Sequence, residues 1–228
     1  MSLKSLHAMS SEQASHVKKS GHKKEERFNS FFGTADYETN YSSPSADNII
    51  CSTNPANAEI NRELSLETNG DIDVSLKSSR TIQIHLGNIP ELTNKERLKV
   101  TGGKGKKPTI VEHGISFNEQ KEQLTKKEFW RKYLKKGDVL CYDSGDTYVF
   151  FNMEDVIDFI VKKCHWRILE TGRLKGDFFS AGKFKQILTY EYRSKKKSFV
   201  LGAHGGSKGA EFISLLKENI KYYSRKQE

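Results

Sequence analysis

The chain reads as a mixed α/β (α+β) protein with a central mixed β-sheet flanked by helices. Three observations predict this. Short segments alternate apolar and polar residues, most clearly Ile72, Val74 and Leu76 against Asp71, Asp73, Ser75 and Lys77. Other segments space apolar residues three and four apart, as in Val156, Ile157 and Ile160. Tight-turn signals at Asn69-Gly70 and Ser144-Gly145-Asp146 punctuate the alternating segments.

Residues 1–19 carry Ser, His, Lys and Gln without periodicity and are expected to form a flexible N-terminal arm, leaving 20–228 as a single domain. SGHKKEERFNSFFG, from Ser20 to Gly33, predicts a helix with Phe28, Phe31 and Phe32 as its apolar stripe. Glu25 shares that stripe and Glu26 does not. A turn-rich stretch with Ser43, Pro44 and Ser45 leads to Asp47 and a short strand from Asn48 to Cys51. A polar connection follows, with a strand expected near Leu64 to Leu66 and a hairpin turn at Asn69-Gly70 into the strand Asp71 to Lys77. Ile82, Ile84, Leu86 and Ile89 fit a strand and a helix equally.

TGGKGKKP, residues 101–108, is a cationic loop that lacks the spacing of a P-loop. LTKKEFWRKYLKKGD predicts a helix capped by Thr125, with Glu128 in the capping-box position and Gly137 as its end. A hairpin around Ser144-Gly145-Asp146 precedes a helix capped by Asn152. Strands around Trp166 to Phe179 and a pair turning at Ser194 to Lys197 follow. The chain closes on a helix with Phe212, Leu215, Leu216 and Ile220 on one face. Trp130 and Trp166 are expected in the core.

Hydrophobic content of 35% against 29% charged residues describes a foldable rather than a disordered chain. No run reaches the ~18 apolar residues of a membrane span, and MSLKSLHAMSSEQ has no secretory apolar core. A cytoplasmic, soluble protein is expected. Cys51, Cys141 and Cys164 form no CxxC pair and no disulfide framework, so structural zinc is not expected. Thirty-eight Lys and Arg against 29 Asp and Glu give a net charge of +9, a balance that attracts nucleic acid.

The chemistry centres on the strand DIDVSLKSSR. Alternation sets Asp73, Ser75 and Lys77 on one face, about 6.6 to 6.8 Å apart. A turn-borne carboxylate, Asp47, lies upstream. Carboxylate and hydroxyl oxygens suit Mg²⁺, which lowers the pKa of an attacking water and stabilises charge on a phosphate. A lysine beside them neutralises the transition state.

In these residues the chain resembles the PD-(D/E)xK nuclease superfamily, and within it the type II restriction endonucleases. SPSADNII with Asp47 looks like the first half-motif, VSLKS with Ser75 and Lys77 like the second, and SGHKKEERF with Glu25 like the preceding acid-bearing helix. The likeness covers residues 20 to 90. It departs from the family in placing Ser75 where an acid is usual, and Asp73, one step back on the same face, stands as a substitute. The resemblance implies a restriction-endonuclease-like core over 20–100, completed by 101–228, which contacts DNA. It implies hydrolysis of duplex DNA with Mg²⁺, a homodimer, and a cognate DNA methyltransferase as genetic partner. Asp47, Ser75 and Asp73 would hold the metal, with Lys77 and Glu25 completing the catalytic set. Arg80, Lys104, Lys106, Lys107, Arg167, Arg173, His204 and Lys208 are the candidate DNA contacts.

Two rivals stay open. One is a metal-independent ribonuclease toxin using His113 or His204 as general acid and base. The other is a non-catalytic nucleic-acid-binding protein whose basic loops are an electrostatic footprint.

Overall fold

Two five-stranded sheets divide the strands of the described residues. The computed structural model describes residues 23–32, 48–68, 70–78, 82–87, 89, 117–134, 137–169, 174–193, 198–204 and 207–227. In chain order the elements are α1 over 23–32, β1 Asn48–Ile50, α2 Pro55–Leu64, β2 Ile72–Ser78, β3 Ile82–Gly87, α3 Phe117–Gln123 and α4 Lys127–Tyr133. Then come β4 Val139–Asp143, β5 Thr147–Asn152, α5 Met153–Lys163, β6 His165–Ile168, β7 Leu174–Ser180, β8 Lys183–Arg193, β9 Ser198–Ala203, α6 Lys208–Asn219 and β10 Tyr222–Lys226. The first sheet runs β1-β2-β4-β5-β10 and is mixed: β2 pairs parallel with β4, and its other neighbours pair antiparallel. The second runs β3-β9-β8-β7-β6 and is antiparallel throughout. The α+β class and the mixed sheet read from the sequence are therefore present, and a second sheet accompanies them. Among the described residues no helix is long and apolar enough to cross a membrane.

Alternation in β2 decides how the layers stack. Ile72, Val74 and Leu76 join Phe28 and Phe32 of α1, Ile60 and Leu64 of α2, and Tyr148 and Phe150 of β5 in one buried cluster. On the opposite face of the mixed sheet, Leu140, Val149 and Phe151 belong to a second cluster. It takes in α4, α5, α6 and the inner face of the antiparallel sheet, including Tyr190, Phe199 and Leu201. Each apolar side chain so enclosed contributes about 1.5 to 3 kcal/mol. Trp130 and Trp166 both lie in this second core, stacked at 6.0 Å, as expected for core residues.

Several local expectations change. The segment up to Leu64 is helix α2 rather than a connection with a strand. Asn54 caps it by accepting from Ala56 N, Pro55 occupies the first turn, and Ala56, Ile60 and Leu64 recur every fourth residue on the buried side. Gly70 consequently follows a helix, and among the described residues β2 pairs antiparallel with β1, across α2, rather than with a strand near Leu64 to Leu66. Thr125 does not cap α4: its hydroxyl donates back to Glu122 O, and Lys126 holds the cap position without a side-chain bond. Residues 82–87, which fitted two patterns, form a strand because their Ile82, Ile84 and Leu86 side meets the second core. The last helix stops at Asn219, and Tyr222–Lys226 forms an edge strand beside β5.

Candidate active-site strand and its surroundings

β2 carries Asp73, Ser75 and Lys77 on the face that looks away from α1 and α2. Their settings differ. Ser75 is 3% exposed, opposite Leu140 in the parallel ladder with β4. Lys77 is half-buried beside Tyr142 and donates from Nζ to Leu76 O at 3.0 Å. Asp73 is exposed at the other end of the strand.

The Asp73 end is held by the turn entering β4. Asp138 N donates to Asp73 O at 2.8 Å, and Asp73 N donates to Asp138 Oδ2 at 3.0 Å. This reciprocal pair brings the two carboxylates near each other. Partial burial, then the charges of Asp138 and Asp71, raise the Asp73 carboxyl above its usual range. Gly137 makes the close approach feasible: a Cβ there would stand 2.8 Å from Asp73 O and 3.2 Å from Ser75 N.

β1 supplies the neighbouring edge. Asn48, which follows Asp47 in sequence, pairs with Val74, which precedes Ser75. Asn48 is fully buried, and neither its amide oxygen nor its nitrogen has a hydrogen-bond partner among the described residues. Asp47 lies outside the described residues, as do Arg80, Lys104, Lys106, Lys107, His113 and Arg173.

Glu25 lies on α1, whose apolar stripe covers the other face of β2. α1 packs Phe28 and Phe32 on the Val74 and Leu76 side, the opposite side of β2 from Ser75 and Lys77. Glu25 is half-buried there and Glu26 is exposed. A polar contact that anchors this helix belongs to Arg27, which the sequence did not single out and which binds Asp143.

The other named residues lie on or beside the antiparallel sheet: Arg167 in β6, His204 just after β9 and Lys208 at the start of α6. His204 Nδ1 is 3.3 Å from Gln83 Nε2, and its ring folds over Gly202, where a Cβ would come within 2.0 Å of Nε2. Arg167 is paired with Asp177 at 2.5 Å, so its guanidinium already has an anionic partner. Lys208 Nζ donates to Gln186 O at 2.7 Å and lines a surface cavity.

A divalent cation fits the described residues only in part. Asp73 and Asp138 offer hard oxygen donors of the kind Mg²⁺ takes, but no three His, Cys, Asp or Glu groups converge among the described residues. No family model, curated protein or solved structure matches the chain.

Proposed function

We propose that the protein is a sequence-specific double-stranded DNA endonuclease of the type II restriction kind, dependent on Mg²⁺, cytoplasmic and acting as a homodimer. A cognate DNA methyltransferase is its expected genetic partner. One observation carries this. A single strand face presents Asp73, Ser75 and Lys77, and the strand that directly follows Asp47 in sequence is its antiparallel neighbour, with Asn48 opposite Val74. Two half-motifs 30 residues apart in sequence, from Asp47 to Lys77, thus flank adjacent strands.

In this reading Asp47 is the main ligand of the cation, with Ser75 and Asp73 as auxiliary donors. The cation, when bound, supplies charge neutralisation at the phosphate and a more acidic water. Lys77 orients the attacking water by hydrogen bonding and offsets charge developing on the phosphate oxygens. Its half-buried ammonium suits that role, since partial exclusion of water strengthens the attraction. The net charge of +9 draws the polyanionic substrate. Paired copies match the two-fold symmetry of a palindromic site.

The test is cleavage of plasmid DNA by purified protein with Mg²⁺ or EDTA. Discrete fragments with Mg²⁺ are expected, together with a loss of at least ~100-fold for Lys77→Ala at nearly unchanged DNA affinity. Fragments persisting in EDTA would move the chemistry to a histidine. Binding without cutting under any divalent metal would leave only a binding protein.

A further inference from the structure

The β7–β8 hairpin closes at Ala181-Gly182, with φ of 49° and 78°. Positive φ at both central residues is the two-residue turn that matches strand twist. Phe179 and Phe184 face each other across this hairpin, one on each strand. They are 61% and 57% exposed, an unusual state for two adjacent phenyl rings. Their rings meet edge to edge-on face at 5.3 Å, and His165 of β6 packs against Phe184 at 4.9 Å. The rings are therefore positioned by neighbours yet remain open to solvent.

Lysines interleave with them in FFSAGKFK. Phe184 borders a cavity of about 560 Å³ whose lining includes Lys183, Lys185, Lys208 and Glu211. Three ammonium groups thus meet one carboxylate there. Glu211 is engaged by Lys185 at 2.8 Å and by the Ser207 hydroxyl at 2.5 Å. The cavity is left cationic on the α6 side of the hairpin tip, and the two rings stand on the other side of the same tip.

We propose that this hairpin tip binds an unstacked base of a nucleic-acid strand, with one of the two rings stacking on the base, the other bracing it edge-on, and Lys183 and Lys208 meeting the adjoining phosphates across the tip. Base–aromatic stacking tolerates any sequence because every base has a π-face, and lysines alongside track the backbone. An acidic peptide would use the lysines but leave the two open rings without a matching flat partner. The tip lies on the antiparallel sheet, whereas Asp73, Ser75 and Lys77 lie on the mixed one. The contact consequently stands apart from the hydrolytic assignment.

Fluorescence anisotropy of the full chain with a labelled oligothymidylate tests it, read alongside thermal unfolding. Phe179→Ala with Phe184→Ala should weaken binding at least ~10-fold at unchanged Tm, whereas Phe184→Trp keeps it. Lys183→Ala with Lys208→Ala should lower the salt slope of log affinity by about 1.4, two phosphate contacts at roughly 0.7 each. Lys77→Ala should leave this binding intact, so a failed nuclease and a failed hairpin contact read differently. Unchanged binding in the double Phe variant overturns the proposal. So does equal competition by a duplex of the same length, or Phe-dependent displacement by polyglutamate, which would identify an acidic protein surface as the ligand.

Discussion

Arg27 Nη2 on α1 donates to Asp143 Oδ2 at the end of β4 at 2.6 Å, joining residues 116 apart in sequence. The carboxylate is 1% exposed and also accepts from Gly145 N at 2.8 Å and Gln227 Nε2 at 3.0 Å. It therefore gathers the N-terminal helix, the β4–β5 turn and the residue after β10 at one point. Removing one partner of a buried pair leaves an uncompensated charge. Arg27→Ala should lower stability by about 2 to 4 kcal/mol, somewhat below a fully buried pair because the arginine side chain is 45% exposed. Urea unfolding measures this. Adding Asp143→Asn should return part of the loss, and strict additivity of the two changes would refute the coupling.

The pH dependence of Asp73 has a definite sign. Its folded pKa is raised by burial first and by Asp138 and Asp71 next. A carboxyl with a raised folded pKa binds more protons folded than unfolded between the two values, so stability falls as pH rises through that window. The penalty is fully present above the folded value and vanishes below the unfolded one. Asp73→Asn should therefore raise Tm near pH 7, with the gain shrinking as pH falls through the usual carboxylate range. Mg²⁺ should raise the Tm of the natural chain more than that of Asp73→Asn, since ligand binding to the folded state stabilises it. Equal Mg²⁺ shifts in both would remove Asp73 from the ligand set.

Gly137 holds the entry to β4 against β2. A Cβ at this position would meet Asp73 O at 2.8 Å and Asp73 C at 3.2 Å, both backbone atoms that cannot swing aside. Gly137→Ala must push the two strands apart and should cost about 1 to 3 kcal/mol, the usual penalty of overpacking. Because the displaced segment carries Asp73 and Ser75, cleavage should fall further than the lost stability explains. Denaturation midpoints and turnover at a temperature where both forms are folded separate the two effects.

Strong local patterns were readable in advance. The Phe28, Phe31 and Phe32 stripe gave α1, the Asn152 cap gave α5, and the Ser144-Gly145-Asp146 turn gave the β4–β5 hairpin. Each combines a periodicity with its own punctuation, so neighbours need not be known. α2 was hidden because PANAEINREL is mostly polar, with an apolar spine of only Ala56, Ile60 and Leu64; the signal that could have found it is the Asn54-Pro55 start. β10 was hidden because Tyr222–Lys226 continues a helical sequence, and its conformation is decided by distant partners, the edge of β5 and Glu59 of α2. At the candidate site, the shared face of Asp73, Ser75 and Lys77 followed from alternation alone. The contact of Asp138 with Asp73 and the side taken by α1 did not, since both depend on pairings between segments distant in sequence.

The β7–β8 turn offers a change whose direction follows from backbone geometry. Ala181 holds φ of 49°, in the left-handed region where a Cβ crowds the following carbonyl, at roughly 1 kcal/mol or more. Asn tolerates that region better, and Asn-Gly is the favoured pair for this turn type. Ala181 is exposed, so the new amide meets water rather than a packed neighbour. Ala181→Asn should stabilise the protein by about 0.5 to 1 kcal/mol in urea unfolding. Gly182, at φ of 78°, should show the opposite: Gly182→Val places a β-branched residue where almost none is found and should destabilise by more than 1 kcal/mol, on the order of known left-handed strain. The two variants then serve as a control on the hairpin contact. Ala181→Asn should keep oligothymidylate affinity at or above that of the natural chain, because it stiffens the support of Phe179 and Phe184. Gly182→Val should reduce affinity, because the rings lose their register across the turn. Affinity that ignored both changes would show that the rings need no ordered hairpin to meet a base.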